Sequence, residues 1–244
     1  QAGLHGPVIL MYHAVAPGTG HPAWPWAVSM RQFRAQLDFL ADSGYATPTM
    51  AELATPGRSW PGRTAVITFD DGYVDNLAAC AELEQRGMRA SWFIVSGSVG
   101  RSPAWQDDGR PVGRLLNAAE LRDMRAAGME IGSHTVSHAR LTETGNAQLQ
   151  RELVDSRAAL EDLLGAPVSS FAYPYGSWDA RCAEAVAAAG YEAACTTRTG
   201  WALRDNDPYR LRRLTVFNTD TASSLARKLY FGSHDVRWLD IAHY

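Results

Sequence analysis

The sequence predicts an α/β fold in which a mostly parallel sheet curls toward a barrel and is wrapped by helices. Three observations carry this. Short apolar runs alternate with amphipathic stretches in about six or seven strand–helix units, the pattern of a parallel sheet. The first run, Val8–Tyr12, is apolar at every position, as a strand buried on both faces must be. The polar motifs follow directly after apolar runs, where the strand ends of a barrel gather functional groups. The chain has 244 residues, 46% of them hydrophobic, enough for one large core and short for two average domains. A single domain over residues 1–244 is the expectation.

Strand 8–12 follows Pro7. Met30, Phe33, Leu37 and Leu40 recur at helical spacing, so 30–43 is a predicted helix with Ser29 as N-cap and Gly44 as stop. The β-branched run 64–69 is a strand, and a helix over 74–86 is halted by Gly87. Residues 90–95 form the next strand. Residues 97–113 are polar and rich in Gly and Pro, hence a long loop. A helix over 117–127 ends at Gly128, and a short strand covers 129–131. Leu149, Leu153, Leu160 and Leu164 mark one face of a helix over 146–164, closed by Gly165 and Pro167. A strand at 169–173, an Ala-rich helix at 179–189, strands at 192–196 and 211–216, and a helix at 222–230 complete the chain.

Basic residues number 23 against 26 acidic, a net charge of −3, so composition offers no support for a nucleic-acid or anionic-membrane partner. No run of apolar residues is long enough to span a bilayer as a helix. The chain begins at Gln1 rather than Met, which suggests a removed signal peptide or a trimmed chain. Cys80, Cys182 and Cys195 fit neither a disulfide scaffold nor a metal knuckle. Buried free thiols are the default, with one Cys182–Cys195 bridge left open. Eight Trp and nine Tyr suit either core packing or a sugar-stacking surface.

Four motifs carry chemistry. Thr68-Phe69-Asp70-Asp71-Gly72 places two carboxylates side by side at a strand end, costly neighbours unless a cation or proton separates them. Alone it is equally a turn. His134-Thr135-Val136-Ser137-His138 sets two imidazoles four apart, able to aim at one ion or simply to be two satisfied histidines. Phe171-Ala172-Tyr173-Pro174-Tyr175-Gly176 ends another strand with a constrained backbone path. His13 closes the first strand and matters only if that strand lies beside the others. Together, one carboxylate and two imidazoles form a three-ligand set suited to Zn²⁺ with an open position for water. A second carboxylate is left over as base.

The order TFDDG, HTVSH, FAYPYG resembles the polysaccharide deacetylases, the carbohydrate esterase group related to the nodulation chitooligosaccharide deacetylase. The likeness runs from about Pro7 to Val216. It implies a distorted (β/α)7 barrel and removal of N- or O-acetyl groups from a polysaccharide. The N-terminal VILMYHAV and the MRQFRAQLDFLADSGY segment look like the branch that includes exported deacetylases of poly-N-acetylglucosamine polymers. The resemblance implies Asp70 as general base, Asp71, His134 and His138 as metal ligands, Tyr175 as a backbone oxyanion donor and His13 as general acid. The implied cofactor is Zn²⁺ or another divalent ion such as Co²⁺ or Ni²⁺, with a water activated there as nucleophile. The implied location is periplasm, cell surface or exterior. The pattern departs at Ala172, where the family usually has an Arg that orients the base. One of Arg210, Arg212 or Arg213 is the expected substitute. No match to the family's Asp-Trp fourth motif is found. Trp105, Tyr175 and Trp178 are candidate sugar-stacking residues. Acetyl xylan or peptidoglycan deacetylation, and a degenerate sugar-binding module, stand as alternatives.

Overall fold

A computed structural model of the chain describes residues 6–234; Gln1, on which the expectation of a removed signal peptide rests, lies outside them. In chain order the elements are β1 Val8–Tyr12, β2 Ala14–Ala16, β3 Ala27–Ser29, α1 Met30–Asp42, α2 Met50–Leu53, β4 Ala65–Asp71, α3 Asn76–Gln85, β5 Ser91–Ile94, α4 Ala118–Ala126, β6 Glu130–Ser133, α5 Asn146–Leu164, β7 Ser170–Ala172, α6 Ala180–Ala188, β8 Ala193–Cys195, β9 Leu214–Thr215 and α7 Ala222–Phe231. Seven strands form one parallel sheet in the order β8-β7-β6-β5-β4-β1-β9, the distorted (β/α)7 barrel that the family resemblance implies.

Closure is incomplete. The predicted strand 211–216 shrinks to Leu214–Thr215 because the preceding segment pairs with the opposite edge instead. Ala194 N–H donates to Pro208 O (2.8 Å), Leu211 N–H to Ala194 O (3.0 Å) and Thr196 N–H to Leu211 O (2.8 Å). The chain thus laces β8 before it joins β1, and the ring is completed by a loop rather than a ladder.

The period-two alternation of strands separates two cores. Leu10, Ile67, Phe69, Trp92, Phe171 and Leu214 face outward onto α1 and α3–α7, in one large cluster. Ile9, Val66, Phe93, Ala172, Ala193 and Cys195 face inward with Met50 and Leu53 of α2. That helix plugs the end of the barrel where the strands begin. Met50 N–H donates to Ser91 Oγ (2.8 Å) and Ala51 N–H to Glu130 (3.0 Å). The two faces also settle the cysteines. All three are free and buried, and Cys182 packs outside the sheet while Cys195 packs inside, so no Cys182–Cys195 bridge exists.

Ser29 caps α1 as expected, its hydroxyl accepting from Gln32 N–H at 3.3 Å. The pair β2–β3 and helix α2 were not foreseen, because three or four residues are too few to show a period.

Candidate metal centre and active site

Asp70, by alternation from Val66 and Thr68, must point into the barrel. Asp71 would then point out. It does not, because its φ of 73° takes the left-handed conformation and returns the second carboxylate to the same side. Gly72, with φ 83°, completes the turn; a Cβ there would lie 2.8 Å from Ile94 Cδ1. The histidine loop is bent the same way, with Thr135 at φ 69° and His138 at φ 61°. Glu152 of α5 holds it: its carboxylate accepts the N–H groups of Val136 and Ser137, each at 2.9 Å. Thr135 Oγ1 accepts His138 N–H at 2.9 Å. Sequence reasoning missed Glu152, which lies unmarked on the apolar face of its helix.

His13, Asp70, Asp71, His134, His138 and Tyr175 all line one cavity of about 450 Å³ at the C-terminal ends of the strands. Within it, Asp71 Oδ1 lies 3.5 Å from His134 Nε2 and 3.2 Å from His138 Nε2. His134 Nδ1 lies 2.7 Å from Ala172 O, so it is the protonated nitrogen of the neutral ring, and Nε2 presents a lone pair to the carboxylate. Burial, the largest influence, drives His134 down to about 4, so the ring is neutral near pH 7. Asp71 Oδ1 is buried without a hydrogen-bond partner. These three atoms, one from each side chain, all lie within 4.8 Å of one another and could hold a metal ion. The donor set fits Zn²⁺ and leaves a position open.

Asp70 is held apart from that triad by an arginine. Arg213 Nη1 donates to Asp70 Oδ1 and Nη2 to Oδ2, both at 2.7 Å, and Nε donates to Thr196 O at 2.9 Å. Arg213 is fully buried. Burial by itself would raise the Asp70 carboxyl; the guanidinium outweighs it, and the group sits below the ordinary carboxylate range. Of the three arginines considered as substitutes for the one missing at Ala172, Arg213 alone takes that place. Arg210 pairs with Asp207 and Arg212 with Asp205 at the surface. Ala172 and Arg213 both serve the barrel interior, one by leaving space and the other by filling it.

The aromatic candidates divide. Tyr175 is 41% exposed at the cavity mouth, with φ 59° and the Arg140 guanidinium 3.9 Å above its ring. Trp105 is buried and stacks on His138 at 4.4 Å, so it packs that imidazole rather than offering a free face. Trp178 packs against Tyr173 and does not line the cavity. Trp26 and Phe217, their rings 5.2 Å apart and tilted by 38°, form an aromatic wall that sequence reasoning did not assign. Neither lies in a motif, and only the fold brings them together.

Among the described residues, no helix is long and apolar enough to cross a membrane. The family model for polysaccharide deacetylase matches residues 57–194, more than half of the chain. YxkH of Bacillus subtilis (strain 168), whose name assigns it to the polysaccharide deacetylases, is 30% identical over 212 residues, covering 85% of this chain and 70% of that protein. The structure of IcaB from Ammonifex degensii superposes with a TM-score of 0.76 at 26% identity, over 93% of this chain and 97% of the other. The Streptococcus pyogenes deacetylase PplD, solved with acetate, shares the fold at a TM-score of 0.79 and 23% identity, over 91% and 97% of the two chains. With its three motifs gathered at one cavity of a seven-stranded barrel, the chain belongs to the polysaccharide deacetylase family.

Proposed function

We propose that this chain removes N-acetyl groups from a poly-N-acetylglucosamine-type polymer outside the cytoplasm, by metal-assisted hydrolysis at the cavity. The observation that carries this reading is the separation of two adjacent carboxylates into two environments. Asp71 faces two imidazoles, and Asp70 faces a buried guanidinium. Asp71, His134 and His138 would hold a divalent ion, Zn²⁺ or a similar metal such as Co²⁺ or Ni²⁺. Such an ion supplies Lewis-acid polarisation of a carbonyl and a lowered water pKa.

The chain's own groups divide the remaining work. Asp70, kept ionised by Arg213, takes the proton of the attacking water as its oxygen bonds to the acetyl carbon. The Tyr175 N–H helps hold the negative charge that develops on the carbonyl oxygen, a contribution of about 3 kcal/mol for one well-placed donor. His13 passes a proton to the sugar nitrogen as the C–N bond breaks, releasing acetate and a free amine. Trp26 and Phe217 exclude water from one side of the cavity.

Acetate release from N-acetylglucosamine oligomers tests this, with metal-loaded protein, chelated protein and Asp70→Asn. Acetate that requires both metal and Asp70 supports the reading. Acetate from acetylated xylan or peptidoglycan fragments alone would move the substrate class. Sugar binding without turnover on any of them would make the chain a binding module. The sequence reason for that last reading was Ala172, and Arg213 supplies the charge missing there.

A further inference from the structure

His13 carries an unusual burden for a group proposed to deliver a proton. A histidine that must point one way commonly has its second ring nitrogen tied to a carboxylate or carbonyl. His13 Nδ1 is buried with no hydrogen-bond partner. The ring is bounded by indoles, edge-on to Trp24 at 6.0 Å and tilted to Trp26 at 5.8 Å. Apolar walls limit where the ring can go but do not fix its height above the metal site. Its backbone must do that.

The backbone at this point is in transition. His13 lies between β1, which pairs with β4 in the large sheet, and β2, which pairs with β3 in the small one. Its carbonyl is taken by Asn76, whose Nδ2 donates to His13 O at 2.9 Å. Asn76 is fully buried at the start of α3. Its amide has only one orientation. Trp92 Nε1–H, which can only donate, lies 3.2 Å from Asn76 Oδ1, so the oxygen faces the indole and the NH₂ faces His13 O. The same NH₂ reaches Asp75 Oδ1 at 2.9 Å, and the Asp75 carboxylate accepts the Val15 N–H. Trp92 in turn stacks face to face on Phe69, 4.6 Å apart with planes 4° from parallel, and Phe69 precedes Asp70. A continuous path of rigid contacts therefore runs from the strand bearing the base to the backbone bearing the acid.

We infer that Asn76, oriented by Trp92, is a positioning residue that fixes His13 relative to Asp70 and thereby sets the efficiency of proton delivery to the leaving group. The inference rests on the reading of His13 as general acid.

The test exploits the leaving group. An N-acetyl sugar must have its nitrogen protonated, whereas an aryl acetate releases a stable phenolate without that help. Asn76→Leu and Trp92→Phe are made, the second keeping the Phe69 stack while removing the indole N–H. Each is measured in the metal-loaded enzyme on both substrates, alone and with His13→Ala, alongside metal affinity. The expected result is a fall in kcat on the N-acetyl sugar of about tenfold or more for Asn76→Leu and less for Trp92→Phe. KM and metal affinity should stay within about threefold, with a clearly smaller fall on the aryl ester. In the His13→Ala background, Asn76→Leu should add less than about twofold. Equal losses on both substrates, or losses that add to His13→Ala, would overturn the inference and leave Asn76 a structural residue. If Asn76→Leu does not fold, an unchanged amide-to-ester ratio in Trp92→Phe overturns it equally. If His13→Ala itself leaves that ratio unchanged, the assignment of His13 as acid fails, and this inference with it.

Discussion

Arg213, the residue just before β9 on the far side of β1, grips both carboxylate oxygens of Asp70 at 2.7 Å. The pair is buried on both sides, so removing one member strands the other. Arg213→Met should cost about 3–5 kcal/mol of folding stability. The sign with pH follows from the depressed Asp70 carboxyl. The pair's stabilisation is present above the ordinary carboxylate pKa and is lost as pH falls through the lower value in the fold. Without Arg213 the strongest influence opposing burial is lost, leaving only His134 and His13 to hold the carboxyl down, so its pKa rises and the acidic limb of kcat/KM should move to higher pH, with activity down by about 100-fold. A limb that stays in place while activity falls would show that Asp70 is not the base.

That pairing marks the boundary of what the sequence can show. The convergence of Asp70, Asp71, His134 and His138 on one cavity was legible because each motif is local: it follows one strand, and a barrel gathers strand ends wherever they lie in sequence. Arg213 was legible only as one of three arginines. Choosing among them required knowing that position 213 leads into a two-residue strand, Leu214–Thr215, which is too short to leave a period. Trp26, Phe217, Glu152 and Asn76 were not legible at all. Each contributes through a partner more than a dozen residues away, and none has a spacing that separates it from ordinary core or helix surface. The positive φ at Asp71 is hidden in the same way, since aspartate tolerates that conformation without announcing it.

Metal addition should stabilise the folded chain. The three ligands converge only in the folded state, so an ion at about 100 times its Kd adds roughly 2.7 kcal/mol. Thermal melts with Zn²⁺ against chelator should show a higher Tm with metal, and Asp71→Asn should abolish the difference. A metal-induced rise that persists in Asp71→Asn would place the ion elsewhere.

Tyr175 separates backbone from side chain. Its φ of 59° is strained for any residue but glycine, at about 1 kcal/mol. If its N–H serves the oxyanion, Tyr175→Gly keeps the donor, relieves the strain and removes the ring that lies beneath Arg140 and edge-on against His138. KM for oligomers should rise several-fold while kcat falls less than about fivefold. A loss of kcat of about 100-fold with KM unchanged would assign the chemistry to the phenol instead.

Asp75 predicts a pH dependence of opposite sign to Asp70. Burial, its largest influence, raises the carboxyl to about 7, against an unfolded value near 3.9, while the Val15 N–H and the Asn76 side chain hold it back from rising further. Between those two values the folded chain binds a proton that the unfolded chain has lost, so stability falls as pH rises through the window. His134 pulls the other way: lowered to about 4 in the fold, it makes stability rise from about pH 4 to its ordinary value near 6.5. A single pH–stability curve therefore mixes two opposed slopes. The difference between wild type and Asp75→Asn, both in chelator so that no metal contributes, isolates the first. The variant should gain stability relative to wild type steadily from pH 4 to pH 7, and the gap should be constant above about pH 8. Urea unfolding at half-unit pH steps measures it. A difference that is flat from pH 4 upward would mean that Asp75 ionises at its ordinary value, with the Val15 and Asn76 hydrogen bonds fully compensating its burial.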